Sequence, residues 1–172
     1  MYSMNSCETI EMFYDLRVDL EKLEYATYIT KIVNDVTIEN QNSYKILQLF
    51  LNTLHVIAKH DKNLDFVVSV FKLRLLSIIG FRPIVDGCQS CKTSDGLHSF
   101  SFRDSGLKCI ACSKQDKSSM SISETTKDAI KYAILANPKQ LYLFDIPEES
   151  QKELEIVSKL YLTEKLEKEY KI

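Results

Sequence analysis

Cysteine carries most of the chemistry in this chain. Of the five cysteines in 172 residues, Cys88, Cys91, Cys109 and Cys112 read C-x2-C, then seventeen residues, then C-x2-C. That spacing belongs to four-thiolate zinc sites. Each C-x2-C turn aims two sulfurs at one point, and two such turns close a tetrahedron around Zn²⁺. Two disulfides are the competing reading. The odd cysteine count and the absence of a basic, then apolar, leader in MYSMNSCETIEM weigh against it. A redox C-x-x-C would need only one pair and a βαβ setting. Four thiolates leave no coordination position for water, so the expected ion is one structural Zn²⁺ per chain rather than a catalytic one. Cys7, in a polar stretch with no histidine nearby in sequence, is expected to be a free thiol.

The other chemistry-bearing residues are less patterned. His98 falls between the cysteine pairs, but four thiols already complete a site, so it reads as a residue of the ribbon face. His55 and His60 are five apart, which turns them about 140° from each other on a helix and excludes a metal pair there. Nucleophile-elbow, P-loop, dinucleotide and H-E-x-x-H motifs are absent. A binding or scaffolding role is therefore expected rather than an enzyme.

Charge narrows the class further. Twenty-two basic residues against 24 acidic give a formal net charge of −2, a poor footprint for gripping nucleic acid. The only basic-biased segment is 81–120, where Arg82, Lys92, Arg103, Lys108, Lys114 and Lys117 face four acidic residues. These six are the candidate phosphate contacts, good for weak, salt-sensitive binding. No apolar run approaches the ~18 residues of a membrane span. A soluble, cytoplasmic protein is expected.

The elements that must position the cysteines are mostly helical. Four glycines and three prolines are too few for an all-β fold. Apolar spacings of three and four predict helix over 8–36, in one or two pieces, and again over 44–60 with Ser43 as its cap. Between them lies a polar patch from Val36 to Asn42. Residues 64–79 are apolar on nearly every side, the mark of a helix buried at the centre of a bundle, with Lys72 and Arg74 expected to snorkel outward. Gly80 and Pro83 stop it. Leu97–Phe102 alternates, placing His98, Phe100 and Phe102 on one strand face and Ser99 and Ser101 on the other. Asp104-Ser105-Gly106 turns the chain back to Cys109. After a polar linker at 115–119, Ser121 or Ser123 caps a helix to about Ala136. A last helix runs from Pro147 to the C-terminus, with an inner stripe of Leu154, Val157, Leu160, Tyr161 and Leu166. Its Glu164–Lys168 and Glu167–Lys171 form i,i+4 pairs. The expected fold is mainly α: a helical bundle with an inserted small four-cysteine zinc ribbon. It is read as one domain over 1–172, with helices in 1–82, the ribbon in 83–119, and helices in 120–172 packing back on the bundle.

The segment FKLRLLSIIGFRPIVDGCQSC at 71–91 resembles the C-terminal part of the RecO family of bacterial recombination-mediator and DNA-repair proteins. The matching residues are Arg74-Leu75-Leu76, Gly80, Phe81, Pro83, Cys88 and Cys91. They continue at Phe100, Phe102, Ser105-Gly106-Leu107-Lys108-Cys109 and Cys112. Upstream they include Glu8, Ile10, Phe13, Leu16, Arg17, Asp19, Leu20, Leu23, Tyr25 and Ala26. Lys92 and Ser105 stand where the family often has glycine. Nothing in the chain resembles the OB-fold domain with which the family usually begins. The resemblance implies DNA repair and recombination through contacts with RecR and with the tail of single-stranded DNA-binding protein (SSB), DNA contact being weak or indirect. A stand-alone zinc-ribbon nucleic-acid binder or adaptor is the other reading.

Overall fold

The computed structural model describes residues 6–38 and 43–172. Part of the Val36–Asn42 patch lies outside them. Helix α1 (Tyr14–Val18) is one short turn. Asp19 then takes an extended conformation and caps α2 (Leu20–Val36) by accepting from the Lys22 amide. The predicted first helix is thus two pieces, and residues 8–13 are not helical. Ile10 has nothing to pack against and is fully exposed. Helix α3 (Tyr44–Lys59) starts after Ser43, whose side chain makes no capping bond. Asn63 caps α4 (Leu64–Ile78) through the Phe66 amide.

Helix α4 is the centre. Its buried residues run almost unbroken from Phe66 to Leu76, and it packs against α2, α3, α6 (Glu124–Leu135) and α7 (Glu148–Leu166). A helix apolar on all sides needs such a jacket. Gly80, at φ 104°, ends the run in a conformation that suits glycine. Lys72 does not reach out as expected. It is 4% exposed, with its ammonium 5.2 Å from the Tyr28 ring centre of α2. Burial draws the Lys72 ammonium down to about 8, against the pull of Glu155 and Asp65. Arg74 leaves the core on another side and donates to the Ile134 carbonyl in the last turn of α6.

The ribbon is a three-stranded antiparallel sheet in the order β2 (Gly106–Cys109), β1 (Leu97–Ser101), β3 (Ser119–Ser121). The third strand arises from the predicted linker and cap region. Ser123, not Ser121, caps α6. Phe100 is fully buried with its ring 5.1 Å from that of Tyr161 in α7, edge to face. The Tyr161 hydroxyl donates to the Phe81 carbonyl at 3.0 Å. One side chain thereby joins α7, the end of α4 and the sheet. Ile84 also pairs with Gly106, where an added Cβ would lie 2.6 Å from the Ile84 carbonyl oxygen. Only glycine fits that approach.

Helix α7 ends earlier than its pattern suggests. Glu167 takes a left-handed conformation, and Lys168 pairs with Asp35 of α2 at 2.5 Å instead of with Glu164. Within α7, Leu160 is half exposed and Leu162 is buried in its place. No helix among the described residues is long and apolar enough to cross a membrane.

Phe71, fully enclosed at the middle of α4, tests the centrality of that helix. Phe71→Ala is expected to cost about 3–5 kcal/mol in urea unfolding. A loss under about 1 kcal/mol would contradict it.

Candidate metal centre and basic groove

Cys88 and Cys91 sit on the loop that leaves Val85. The Cys88 amide donates to the Thr93 carbonyl at 2.7 Å, and the Cys88 carbonyl accepts from the Lys92 amide at 2.8 Å. This tight turn holds Lys92 at φ 66° and leaves little room at Gly87, where a Cβ would lie 3.2 Å from the Lys92 carbonyl oxygen. The Gln89 amide donates to the Leu107 carbonyl at 2.8 Å and docks the turn on β2. Cys109 ends β2 and Cys112 lies on the following turn, α5 (Ile110–Ser113).

The four sulfurs all lie within 4.8 Å of one another, with Cys91 Sγ and Cys109 Sγ 3.7 Å apart. A disulfide would need about 2.05 Å, and every cysteine, Cys7 included, is free. Burial pushes the Cys88 thiol up, but the amides of Cys91, Cys109 and Ser90 outweigh it and bring it to about 6. The Cys112 amide lowers the Cys109 thiol in the same way. Cys112 is raised to about 12 by its hydrogen bonds to Cys109 and Cys91. Backbone amides thus favour negative sulfur, while crowding keeps the last proton on. This cluster could hold a metal ion, and a cation would resolve the crowding. His98 stands outside it, against Ser99.

The basic candidates part company. Arg82, Lys92, Arg103, Lys114 and Lys117 are exposed. Lys108 is 3% exposed and bonds Asp104 at 2.5 Å and Asp116 at 2.7 Å. It is an internal ion-pair residue, corrected here from a phosphate contact. Burial would raise the Asp116 carboxyl, but hydrogen bonds from Lys108, Ser101 and the Ser118 amide hold it down at about 2. Arg103 lies against Asp104 and Asp116 from outside.

Two cavities share Asn52 and Pro138 in their linings. The larger, about 370 Å³, has Leu49, Ile78, Ile134 and Leu141 as its floor and Lys45, Arg74 and Arg82 at its walls. In sequence, Arg82 reads as a phosphate contact at the end of the helical part and Arg74 as a snorkelling charge of α4, so nothing in the spacing points to their meeting. Desolvation, then the neighbouring Arg82 charge, lowers the Arg74 guanidinium. Neither arginine has a carboxylate partner among the described residues. The smaller cavity, about 260 Å³, holds His55 and His60. The expectation that helical phase separates these two is corrected. His60 follows the last turn of α3 in extended backbone, and the rings lie 5.9 Å apart.

The family model for the recombination protein O C-terminal region matches residues 17–171. The chain belongs to the RecO family. DNA repair protein RecO of Acetivibrio thermocellus is 42% identical over 172 residues, covering 99% of this chain and 68% of the relative. RecO of Alkaliphilus metalliredigens is 30% identical, over 94% of this chain and 66% of the relative. RecO of a Thermoanaerobacter strain is 27% identical, over 99% and 68%. The chain spans about two thirds of the length of these RecO proteins. DNA repair and recombination is its functional class.

The Lys108 network is expected to stabilise the ribbon rather than to bind. Lys108→Met removes the buried cation between Asp104 and Asp116 and leaves only the exposed Arg103 beside them. It is expected to cost about 3–5 kcal/mol in urea unfolding, whereas Arg103→Ala, at the surface, should change little. Equal effects of the two would reject the internal role.

Proposed function

We propose that the chain is a non-enzymatic recombination-mediator domain of RecO type that works by holding other proteins, RecR and the acidic, Phe-ending tail of SSB. The observation that carries this reading is the larger cavity. An apolar floor suits an aromatic ring, and two adjacent guanidinium groups suit a terminal carboxylate. Among the described residues no Asp or Glu lines the cavity, although acidic residues outnumber basic ones in the chain. A volume of about 370 Å³ is within the usual range for a ligand site, about 300–1,000 Å³. Two of the shifted carboxyls, Asp116 and Glu153, are taken up in hydrogen-bond networks within the fold, and Asp15, Asp35, Asp104 and Glu148 are paired with lysines, which supports a binding role over catalysis. Arg82, Lys92, Arg103, Lys114 and Lys117 would add weak DNA contacts.

The proposed ion at Cys88, Cys91, Cys109 and Cys112 is one structural Zn²⁺. Tetrahedral zinc with Zn–S of about 2.3 Å sets its sulfurs about 3.8 Å apart, close to the 3.7 Å between Cys91 and Cys109. Bound there it would clamp the two turns together. Elemental analysis of reduced protein should find one zinc per chain. Cys88→Ser should lose it and unfold the ribbon first, leaving most helical circular dichroism. Metal-free protein with an intact ribbon would reject the ion.

For the groove, a labelled acidic peptide ending in Phe should bind the whole chain in fluorescence anisotropy, more weakly as salt rises. Arg82→Ala should weaken it at least about tenfold, or about 1.4 kcal/mol. Peptide binding indifferent to Arg82 would remove the groove from this role. A nanomolar oligonucleotide complex at physiological salt would favour the nucleic-acid-binding reading.

A further inference from the structure

Ile156 and Leu160, one turn apart on α7, both face solvent, each 46% exposed. Next to Leu160 a cleft of about 540 Å³ opens between α7 and the ribbon. Its apolar ground is Leu160 and Phe102. Phe102, just past the end of β1, is half-buried, with its ring 5.6 Å from that of Phe100. Its amide donates to the Ser118 carbonyl at 3.0 Å, and the Ser118 hydroxyl accepts from the Arg103 amide at 3.1 Å. The ribbon wall is therefore held in place before anything binds, which lowers the ordering cost of a complex. The cleft shares no lining residue with the two cavities that meet at Asn52 and Pro138.

The other wall is acidic. Glu164, Glu167 and Glu169 line it, and among the described residues none of the three has an ion pair or a hydrogen-bond partner. The end of α7 explains why. With Glu167 at φ 51° the chain leaves the helix and turns toward α2, where the Tyr170 ring lies 6.5 Å from that of Tyr28. Lys168 lines the cleft but pairs with Asp35 at 2.5 Å. Lys171 lies with Lys31 around a separate hollow. Lys165 is turned to the Arg103 carbonyl at 3.4 Å, its ammonium 5.4 Å from the Tyr161 ring centre. The lysines that a continued helix would set four residues from Glu164 and Glu167 are thus directed elsewhere.

We infer that the cleft between α7 and the ribbon docks a basic, partly aliphatic peptide segment of a partner protein. Charge complementarity selects this occupant. Nucleic acid and an anionic lipid surface would both meet like charge at the three glutamates, and like-charge juxtaposition suppresses wrong partners. An acidic tail is disfavoured for the same reason, so the occupant differs from the one proposed for the arginine-walled cavity.

Apolar contact and charge have separate tasks here. Leu160 and Ile156 offer a stripe spaced four residues apart, the spacing at which an amphipathic helix presents its own aliphatic side chains. A lysine or arginine stem can lie along Leu160 and Phe102 with its methylenes while its head reaches the glutamates. Exposed ion pairs are each worth little. The aliphatic contact therefore supplies most of the affinity, and the carboxylates set which segment is accepted.

The test measures fluorescence anisotropy of two labelled peptides on the whole chain. One carries two leucines four residues apart with lysines and arginines around them; its twin has glutamate at each basic position. The basic peptide should bind, more weakly as salt rises, and the twin should not. Glu164→Gln with Glu167→Gln should weaken binding about tenfold, or about 1.4 kcal/mol, and Leu160→Ser should weaken it by a similar factor, both with unchanged circular dichroism. Glu8→Gln with Asp95→Asn removes the same charge at two other exposed positions and should leave the affinity as it was. An equal loss in the two charge-removing pairs would mean general attraction to an acidic chain and overturns the proposal. So does failure of the basic peptide to bind. A Leu160-dependent dimer in sedimentation, with no peptide bound, would give the cleft to a second copy of the chain and overturn it as well.

Discussion

Helix α4 is apolar on every side, and a helix of that kind is stable only when other helices enclose it. Its cover comes from both halves of the chain: α2 and α3 before it, α6 and α7 after the ribbon. The ribbon is therefore suspended between the central helix and two of its own covering helices. Tyr161 shows the consequence at one residue. Its ring meets Phe100 of the sheet and its hydroxyl meets the carbonyl of Phe81, so sheet, α4 terminus and α7 are fixed by one side chain. Displacing α7 would uncover α4 and release the ribbon together.

The ribbon itself has a small apolar interior and two polar substitutes for a larger one. One is the sulfur cluster. The other is Lys108 between Asp104 and Asp116, supported by Ser101. Burying charge is unfavourable unless it is paired and hydrogen-bonded, and here each partner is. The serine face of β1 is consequently as buried as the phenylalanine face, Ser99 and Ser101 being closed off alongside Phe100. Polar alternation in this strand marks an internal network rather than a wet side.

That strand also shows where sequence was informative and where it was not. The cysteine spacing, the all-round apolar α4 and the alternation of strand β1 were legible, because each depends on local order or on a pattern along one element. Lys108 was misread because its environment is made by Asp116, a residue from a different segment. The strand β3 was missed because three residues, Ser119–Ser121, carry no periodicity and gain their pairing only from β1. Residues 8–13 have helical spacing, but of their apolar positions only Phe13 packs against the core, and they do not form a helix. His55 and His60 were separated by assuming helical phase across His60, whose backbone is already extended. The arginines of the groove were recognisable as charges, but not as a pair.

Their pairing follows from the central helix. Residue 74 sits on α4 where α3 and α6 part, so the side chain exits between them and its guanidinium reaches the end of α6. There it donates to the Ile134 carbonyl, and the negative end of the helix dipole partly offsets its charge. A guanidinium has five N–H donors, and one bond to a carbonyl leaves most of them open. Arg82 adds a second cation whose field disfavours the first, with no carboxylate among the described residues paired to either. Two like charges held together by the packing of apolar helices, their donors unspent, are stabilised by an anion from outside the chain. In the proposed reading, the apolar residues beside them suit an anion attached to something hydrophobic.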